Sequence, residues 1–250
     1  MTDIIDIVMV SFQRFDFTKK SIEYIKKRTK TPYRLIVVDN CSDLETQQKL
    51  FNMKQNGYIQ HLILLQENYG IHMAKNYGLS LVRSERYYID TDNDLLCPNL
   101  EPDWITSLVN LMDKYPKYGA IACRPQVLVG RGGHEFDGPE EVVKFNHLGA
   151  HLRIMRTDVV RKVGGWEKNW TANRNHEDKY ISTLLQDEGY DVGYAKNVRC
   201  WHQFGNDDNW GYKDIPMEKH GHNPMWPNST HWDSIVDKFN TETWQEKLKV

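Results

Sequence analysis

The first half of the chain alternates short apolar runs with stretches of helical periodicity. The apolar runs at residues 4–10, 34–38, 59–65, 87–90 and 120–123 are typical of buried strands. Helical patterns fill the segments between them, at about 17–28, 42–55, 71–82 and from 103 onwards. This alternation predicts an α/β fold with a Rossmann-like, mostly parallel central sheet flanked by helices and joined by right-handed crossovers.

Polar residues predict where several of these helices begin and end. Asp16 and Asp103 each stand where an N-cap is expected, and Pro116 follows the helix that Asp103 opens. The stretch from Ser42 to Glu45 has the form of a capping box, so Ser42 is the predicted cap of the second helix.

The second half of the chain is less regular. Its pattern predicts a strand at 148–155, a helix at 179–188 and two short strands at 192–195 and 198–201. A glycine-rich loop is expected at 131–138, and residues from about 205 onwards are rich in Trp and His with little periodicity. We therefore expect a nucleotide-sugar-binding half at 1–98, a smaller acceptor-side catalytic half at 99–204, and a C-terminal extension at 205–250.

The most informative stretch directly follows the fourth predicted strand, where Asp90, Asp92 and Asp94 alternate with polar residues. Such closely spaced carboxylates repel one another unless a cation lies among them, so a hard divalent ion that also binds phosphate is favoured. An EF-hand loop would share this spacing, but Leu95 stands where that loop needs glycine. A solvated acidic loop without a ligand is the other alternative.

Charge and composition narrow the class of partner. A net charge of -2 across 250 residues gives no global basic field for nucleic acid. No apolar run approaches the roughly 20 residues that span a bilayer, and the N-terminal pattern predicts a strand rather than a signal peptide. Four widely spaced cysteines without a C-x-x-C pair suggest free thiols. A cytoplasmic protein without a transmembrane segment is the expectation.

An ordered set of motifs resembles the GT-A-fold glycosyltransferases, in particular the inverting enzymes of family 2. The matching stretches lie at 7–14, 36–42, 68–79, 92–98, 164–167, 176–178, 189–190 and 202. Asp92-Asn93-Asp94 with the later Pro98 resembles the family's D-x-D motif, although a register on Asp90 and Asp92 remains open. Lys75 replaces the more usual arginine, and 179–182 departs from the family pattern.

The resemblance implies a role for each matched residue. Donor-binding residues would be Ser11, Phe12, Arg14, Asp39, Asn68, Gly70, Lys75, Asp92 and Asn93. A Mn²⁺ or Mg²⁺ ion would be held by Asp92, Asp94 and His202, although His202 could equally be a packed histidine. Asp178 would be the catalytic base, with Glu177 as its partner or as the alternative base. Trp166, Trp170 and Trp201 could stack on sugars or belong to the core.

The implied function is metal-assisted transfer of a hexosyl group, with inversion, from a nucleotide-sugar donor to a carbohydrate or other hydroxyl-bearing acceptor. A UDP-sugar is the favoured donor. The chain has no Q-x-x-R-W motif, so a processive synthase is not expected. A sugar-1-phosphate nucleotidyltransferase is an alternative, although residues 11–16 lack the glycine-rich loop of that class. A non-catalytic nucleotide- or carbohydrate-binding module is the other alternative.

Overall fold

The computed structural model of the chain describes residues 4–125, 139–166 and 177–203. Within them a nine-stranded sheet is formed by β1 (Ile5–Ser11), β2 (Tyr33–Asp39), β3 (His61–Leu64), β4 (Tyr87–Asp92), β5 (Leu95–Leu96), β6 (Tyr118–Pro125), β7 (Val142–Phe145), β8 (Arg153–Arg156) and β9 (Asp191–His202). The helices are α1 (Phe15–Arg28), α2 (Leu44–Gln55), α3 (Gly70–Leu81), α4 (Trp104–Lys114), α5 (Thr157–Lys162) and α6 (Glu177–Asp187).

The first four long strands form a parallel block in the order β3-β2-β1-β4. Alternate side chains of β1 enter different cores: Ile7 and Met9 join one hydrophobic cluster, and Val8 joins the other. Burial on both faces explains why these strands read as continuous apolar runs. Helix α3 packs closely on this block, since a Cβ at Gly78 would lie 2.2 Å from Cγ1 of Val8. The predicted α/β fold with a mostly parallel sheet is confirmed.

The sheet continues through strands of mixed direction. Strand β8 runs antiparallel between β4 and β6, and β9 runs parallel to β6. Strands β5 and β7 each pair antiparallel with β9, towards its end and its start respectively. The long β9 therefore connects the sheet to the segment just after β4, where the acidic residues lie.

Several boundaries differ from the sequence expectation. The two short strands predicted at 192–195 and 198–201 are one continuous strand, β9, whose register with β6 shifts near Cys123. The strand predicted at 148–155 is confined to β8, while β5, β7 and α5 were not predicted. These three elements have two to six residues, which is too short to show a periodic pattern.

Of the predicted helix caps, only Asp103 is confirmed, accepting a hydrogen bond from the backbone N–H of Thr106. Asp16 is not a cap, because α1 begins earlier and its N-cap is Arg14, in the left-handed region at φ 46°. The cap of α2 is Asp43 rather than Ser42. Ser42 instead donates hydrogen bonds to Asp39, which determines the direction in which the chain leaves β2.

Other expectations concern larger properties of the chain. All four cysteines are free thiols, as predicted. None of the helices in the described ranges is long and apolar enough to cross a membrane. The glycine-rich loop predicted at 131–138, Trp170 and the C-terminal extension at 205–250 lie outside the described residues.

Candidate active site

Three loops follow the carboxyl ends of adjacent parallel strands. The register pairs Ser11 with Asp39 and Val10 with Asp92, so β1, β2 and β4 end side by side. The backbone N–H of Asn40 donates to the carbonyl of Ser11 at 2.8 Å, which holds two of these loops together. The structure thus brings the first, second and fourth candidate segments to one edge of the sheet, where open α/β sheets bind ligands.

Asp39, the candidate contact for the nucleotide base, is fully buried. Its carboxylate accepts hydrogen bonds from the N–H of Ser42 at 2.9 Å, from the Ser42 hydroxyl and from the amide of Gln47 at 3.3 Å. Burial raises the pKa of Asp39, and these donors oppose the shift. The Asp39 carboxylate therefore holds the loop that follows β2 in place, and it lies at the strand end where a ligand would bind.

Asn68 and Gly70 lie where α3 begins. The side-chain oxygen of Asn68 accepts from Gly70 N–H at 3.0 Å and from the amide of Asn40 at 2.7 Å. Asn40 in turn accepts from the N–H of Tyr69 at 3.0 Å. These bonds join the loop after β2 to the start of α3, an arrangement in which Asn40 takes part although the sequence did not suggest it.

Arg14 connects the loop after β1 with the acidic loop after β4. Its guanidinium donates to Asp94 Oδ2 at 3.0 Å and to the side-chain oxygen of Asn93 at 2.9 Å. The amide of Asn93 donates to the Thr18 hydroxyl at 2.8 Å, and the Ser11 hydroxyl lies 3.2 Å from the same atom. Ser11 and Asn93 thus direct their side chains towards α1, while buried Phe12 lies in the loop just before Arg14.

Asp94 and His202 face each other, as the resemblance implied for a metal site. Leu95 in β5 pairs with His202 in β9, and the N–H of Gln203 donates to the Asp94 carbonyl at 3.0 Å. Oδ1 of Asp94 lies 3.8 Å from Nδ1 of His202. That buried oxygen has no hydrogen-bond partner among the described residues. A carboxylate oxygen beside an imidazole is a donor set that suits Mn²⁺, so these two residues fit such an ion.

The position of Asp92 differs from that of Asp94. Its Oδ1 lies 3.7 Å from Nζ of Lys75, and a third of its side chain is exposed. Burial raises the pKa of Asp92 although Lys75 opposes the shift, and the exposed third limits it. No group of three His, Cys, Asp or Glu side chains in the described ranges is arranged to hold a metal by itself.

Asp90 belongs to a buried charge cluster formed with Lys75 and Arg153. Its Oδ2 accepts from Lys75 Nζ at 2.9 Å, from Arg153 Nε at 2.9 Å and lies 2.7 Å from Arg153 Nη2. All three side chains are at most 1% exposed. This geometry occupies the Asp90 carboxylate with two cations, and it turns the Lys75 ammonium towards carboxylates rather than into open solvent.

The candidate base lies next to the same cluster, at the start of α6. Asp178 Oδ1 accepts from Arg153 Nη1 at 2.8 Å, and Glu177 Oε1 lies 3.6 Å from Lys75 Nζ. Burial and the adjacent Glu177 carboxylate raise the pKa of Asp178 well above its usual value, with Arg153 opposing the shift. The pKa of Glu177 is lowered, because Lys75 and Arg153 together outweigh its burial. The two carboxyls therefore differ, since Asp178 holds a proton more readily than Glu177 does.

Trp166 covers the buried cations of this cluster. Its ring centroid lies 5.6 Å from Lys75 Nζ and 5.7 Å from the guanidinium carbon of Arg153. The backbone N–H of Trp166 donates to Asn76, and Gly165 before it has a positive φ of 63°. Trp166 is fully buried and so belongs to the core, whereas Trp201 is 37% exposed.

The sequence analysis missed Arg153, which bridges Asp90 and Asp178 within this cluster. The signal was present only in part, because each strand carries another charged residue, Asp92 in β4 and Arg156 in β8. The antiparallel register of β4 and β8 makes them direct cross-strand partners. Opposite charges that lie directly across neighbouring strands attract each other, and Asp90 and Arg153 form such a pair.

Comparison with protein families identifies the class of this chain. The family model described as glycosyl transferase family 2 matches residues 6–179, which include the acidic loop and Asp178. The chain therefore belongs to glycosyl transferase family 2. A search of curated proteins finds no match.

Solved structures share the fold at low sequence identity. A mannosyltransferase from Pyrobaculum calidifontis in complex with GDP-Man and Mn²⁺ is 16% identical, with a TM-score of 0.68 over 83% of this chain and 59% of its own. GalNAc-T7 with UDP, GalNAc and Mn²⁺ is 14% identical, with a TM-score of 0.62 over 80% of this chain and 44% of its own. S. aureus TarS 1–349 in complex with UDP is 14% identical, with a TM-score of 0.61 over 99% of this chain and 75% of its own. The chain thus has the GT-A glycosyltransferase fold and spans about half the length of the first two.

Proposed function

We propose that this protein transfers a hexosyl group from a nucleotide-sugar to a hydroxyl of a carbohydrate or other acceptor, with inversion at the anomeric carbon. The observation that carries the proposal is the pairing of two features at one sheet edge in a family 2 chain. Asp94 faces His202 on one side, and Asp178 is held beside the end of β4 on the other. One feature suits a diphosphate-bound cation and the other suits removal of a proton.

The nucleotide diphosphate would meet the edge formed by the loops after β1, β2 and β4. Asp94 and His202 would hold a divalent ion, with Asp92 as a further candidate ligand at the end of β4. When bound, Mn²⁺ or Mg²⁺ would neutralise charge on the leaving diphosphate as a Lewis acid. The Arg14 guanidinium contacts Asp94 at 3.0 Å. It would therefore place a positive charge beside the diphosphate.

The acceptor hydroxyl is a poor nucleophile until a base removes its proton. Asp178 would take that proton at its carboxylate, which Arg153 Nη1 holds by a hydrogen bond at 2.8 Å and whose pKa is raised above its usual value. Glu177, whose pKa is lowered, would stay ionised and orient Asp178 or the acceptor. A single attack assisted by one base leaves no covalent intermediate, so the configuration at the anomeric carbon would invert.

The donor base is proposed to be uracil, so that a UDP-sugar is the preferred substrate. Asp39 supports this proposal only as a buried acceptor at the end of β2. The structural relatives leave room for another nucleotide, since one is in complex with GDP-Man and two are with UDP. The test must therefore compare the two nucleotides directly.

Calorimetry of UDP and GDP binding, each with Mn²⁺, with Mg²⁺ and with EDTA, tests the donor and metal proposals. We expect UDP to bind most tightly with a divalent ion and weakly in EDTA, because empty carboxylates repel pyrophosphate. Glu85→Ala, at an exposed carboxylate away from the site, is the control. Equal affinity with and without metal would overturn the metal proposal, and NMR of the first product would show whether the configuration inverts.

A further inference from the structure

Arg153 is a fully buried cation that bridges two carboxylates from different elements. Its Nε and Nη2 lie 2.9 and 2.7 Å from Oδ2 of Asp90 in β4. Its Nη1 donates to Oδ1 of Asp178 in α6 at 2.8 Å and to the carbonyl of Leu148 at 2.9 Å. The planar guanidinium therefore fixes the Asp178 carboxylate relative to the central strand that leads to the acidic loop.

Stability alone gives a weak reason for this arrangement. Removing a guanidinium and a carboxylate from water costs several kcal/mol per ion, and well-packed apolar side chains are often as stable or more so. Asp90 and Arg153 are cross-strand partners whose side chains are at most 1% exposed, so both charges are removed from water. Their presence is better explained by what the free arm of the guanidinium holds, which is the carboxylate of Asp178.

The guanidinium is itself held from two further directions. Lys75 donates to the same Oδ2 atom of Asp90 at 2.9 Å, which keeps that carboxylate in place. The ring of Trp166 lies 5.7 Å from the guanidinium carbon and limits its movement. A side chain fixed by packing and by a supporting carboxylate can hold a reactive group within a fraction of an ångström.

We propose that Arg153 is a positioning residue that holds the Asp178 carboxylate in place for proton removal, with Asp90 as its anchor. This inference rests on the proposed function, because it takes Asp178 as the base. The ionisable groups that face Asp178 are Glu177 from its own helix and Lys75, Asp92, Tyr194 and Arg153 from four other elements. Of these, Arg153 donates a hydrogen bond to Asp178 from a charged nitrogen. Loss of Arg153 would leave the carboxylate without its fixed donor.

Kinetics of Arg153→Gln test the proposal. We expect kcat to fall on the order of 10²-fold, as for misplacement of a reacting group by about 1 Å, with donor KM and Mn²⁺ affinity unchanged. Arg156→Gln is the matched control, because Arg156 lies in the same strand and donates to the backbone carbonyl of Tyr118. In an Asp178→Asn background, Arg153→Gln should cause no further loss, since both changes affect the same proton transfer.

Chemical rescue separates positioning from a structural role. Millimolar guanidinium should restore part of the kcat lost in Arg153→Ala and should have no effect on Arg156→Ala. If Arg153→Gln or Arg153→Ala fails to fold, Arg153→Lys keeps a positive charge beside Asp90, and leaves the Lys75–Asp90 contact intact, but lacks the second arm that reaches Asp178. A wild-type kcat in folded Arg153→Lys would overturn the proposal.

The failure of this proposal is distinguishable from failure of the proposed function. Full activity in Asp178→Asn would remove Asp178 as the base, whereas an inactive Asp178→Asn with a fully active Arg153→Gln would overturn the Arg153 proposal alone. A crystal structure of Arg153→Gln measures positioning without any transfer assay. There the Asp178 carboxylate should leave its place, and an unmoved carboxylate would contradict the proposal.

Discussion

Two clusters of buried charge lie at opposite ends of the central strands, and they are built differently. At the start of β1, Asp6 accepts two hydrogen bonds from Arg34, both at 2.7 Å, and others from Arg83 N–H and from the N–H and hydroxyl of Ser84. Burial alone would raise the pKa of Asp6, but these donors outweigh it and lower the pKa. One carboxylate is thus fully satisfied by one cation and the local backbone.

The cluster at the carboxyl ends of the strands has more carboxylates than cations. Two buried cations, Lys75 and Arg153, contact or lie close to Asp90, Asp92, Glu177 and Asp178. The pKa values of Asp92 and Asp178 are raised, which is the reverse of the shift at Asp6. The Asp6 carboxylate is thus balanced within the fold, whereas we propose that the unbalanced carboxylates of the other cluster serve the transfer reaction.

Asp178→Asn should give the largest effect, a loss of transfer rate without a loss of stability. The carboxamide is nearly isosteric but cannot accept the acceptor's proton, so transfer should slow by roughly 10²–10⁴-fold. Donor and metal affinity should be kept, and the free energy of unfolding should change little. Rate assays with calorimetry and urea unfolding check this, and a fully active variant would shift the role to Glu177.

Asp6→Ala should give the opposite result, a large loss of stability with the kcat of the folded enzyme unchanged. Removing one partner of a buried ion pair costs about 3–5 kcal/mol, and the lower end is expected because Arg34 keeps a fifth of its side chain exposed. Urea unfolding measures the loss. The control is Glu45→Ala, which breaks an exposed pair with Lys49 and should leave the stability nearly unchanged. Equal losses in both variants would contradict the structural role of Asp6.

Much of the fold could be predicted from the sequence because the parallel strands are buried on both faces. Their apolar runs therefore stand out, and Asp103 identified a helix start correctly because its side chain caps that helix. The caps at Asp16 and Ser42 were wrong because local hydrogen bonding to Asp39 and the left-handed Arg14 shift those helix starts. Such backbone geometry depends on neighbouring loops and leaves no clear pattern in a single sequence.

The candidate site could be predicted only where the residues form a motif. Asp94 and His202 are far apart in the chain, and pairing of β5 with β9 brings them together. Arg153 was missed because its partner Asp90 was interpreted as part of the acidic motif, although a strand register joins the two. Residues that support a site from behind, such as Arg153, are brought to it by strand registers, which a single sequence does not specify.

His202→Ala sharpens the comparison by testing whether the retained negative charge serves a cation. Mn²⁺-dependent UDP affinity should fall by at least 10–100-fold, the usual cost of disturbing even the outer shell of a metal site. Affinity in EDTA should not change, and neither should the thermal unfolding midpoint without metal. Calorimetry in both conditions checks this, with His61→Ala as a control in β3. Wild-type Mn²⁺ dependence in His202→Ala would make His202 a packed histidine.

The smallest effect is a separation in pH between loss of activity and loss of the fold. The folded pKa of Asp6 lies below its unfolded value of 3.8, so its stabilisation is complete above that value and is lost as pH falls through the lowered pKa. The pKa of Asp178 lies well above 3.8, and only its ionised form accepts a proton. Activity at saturating Mn²⁺ should therefore fall at a higher pH than stability does, leaving a range in which the protein is folded but inactive. Because Asp178 binds its proton more readily when folded, its protonation favours the fold and does not contribute to acid unfolding.

Rate profiles and circular dichroism across the same pH series measure both midpoints. Asp6→Asn should reduce the stability loss at acid pH, to which other carboxyls with a lowered pKa such as Asp103 also contribute, without moving the activity midpoint. Coincident midpoints in the wild type would show that acid inactivation is only unfolding.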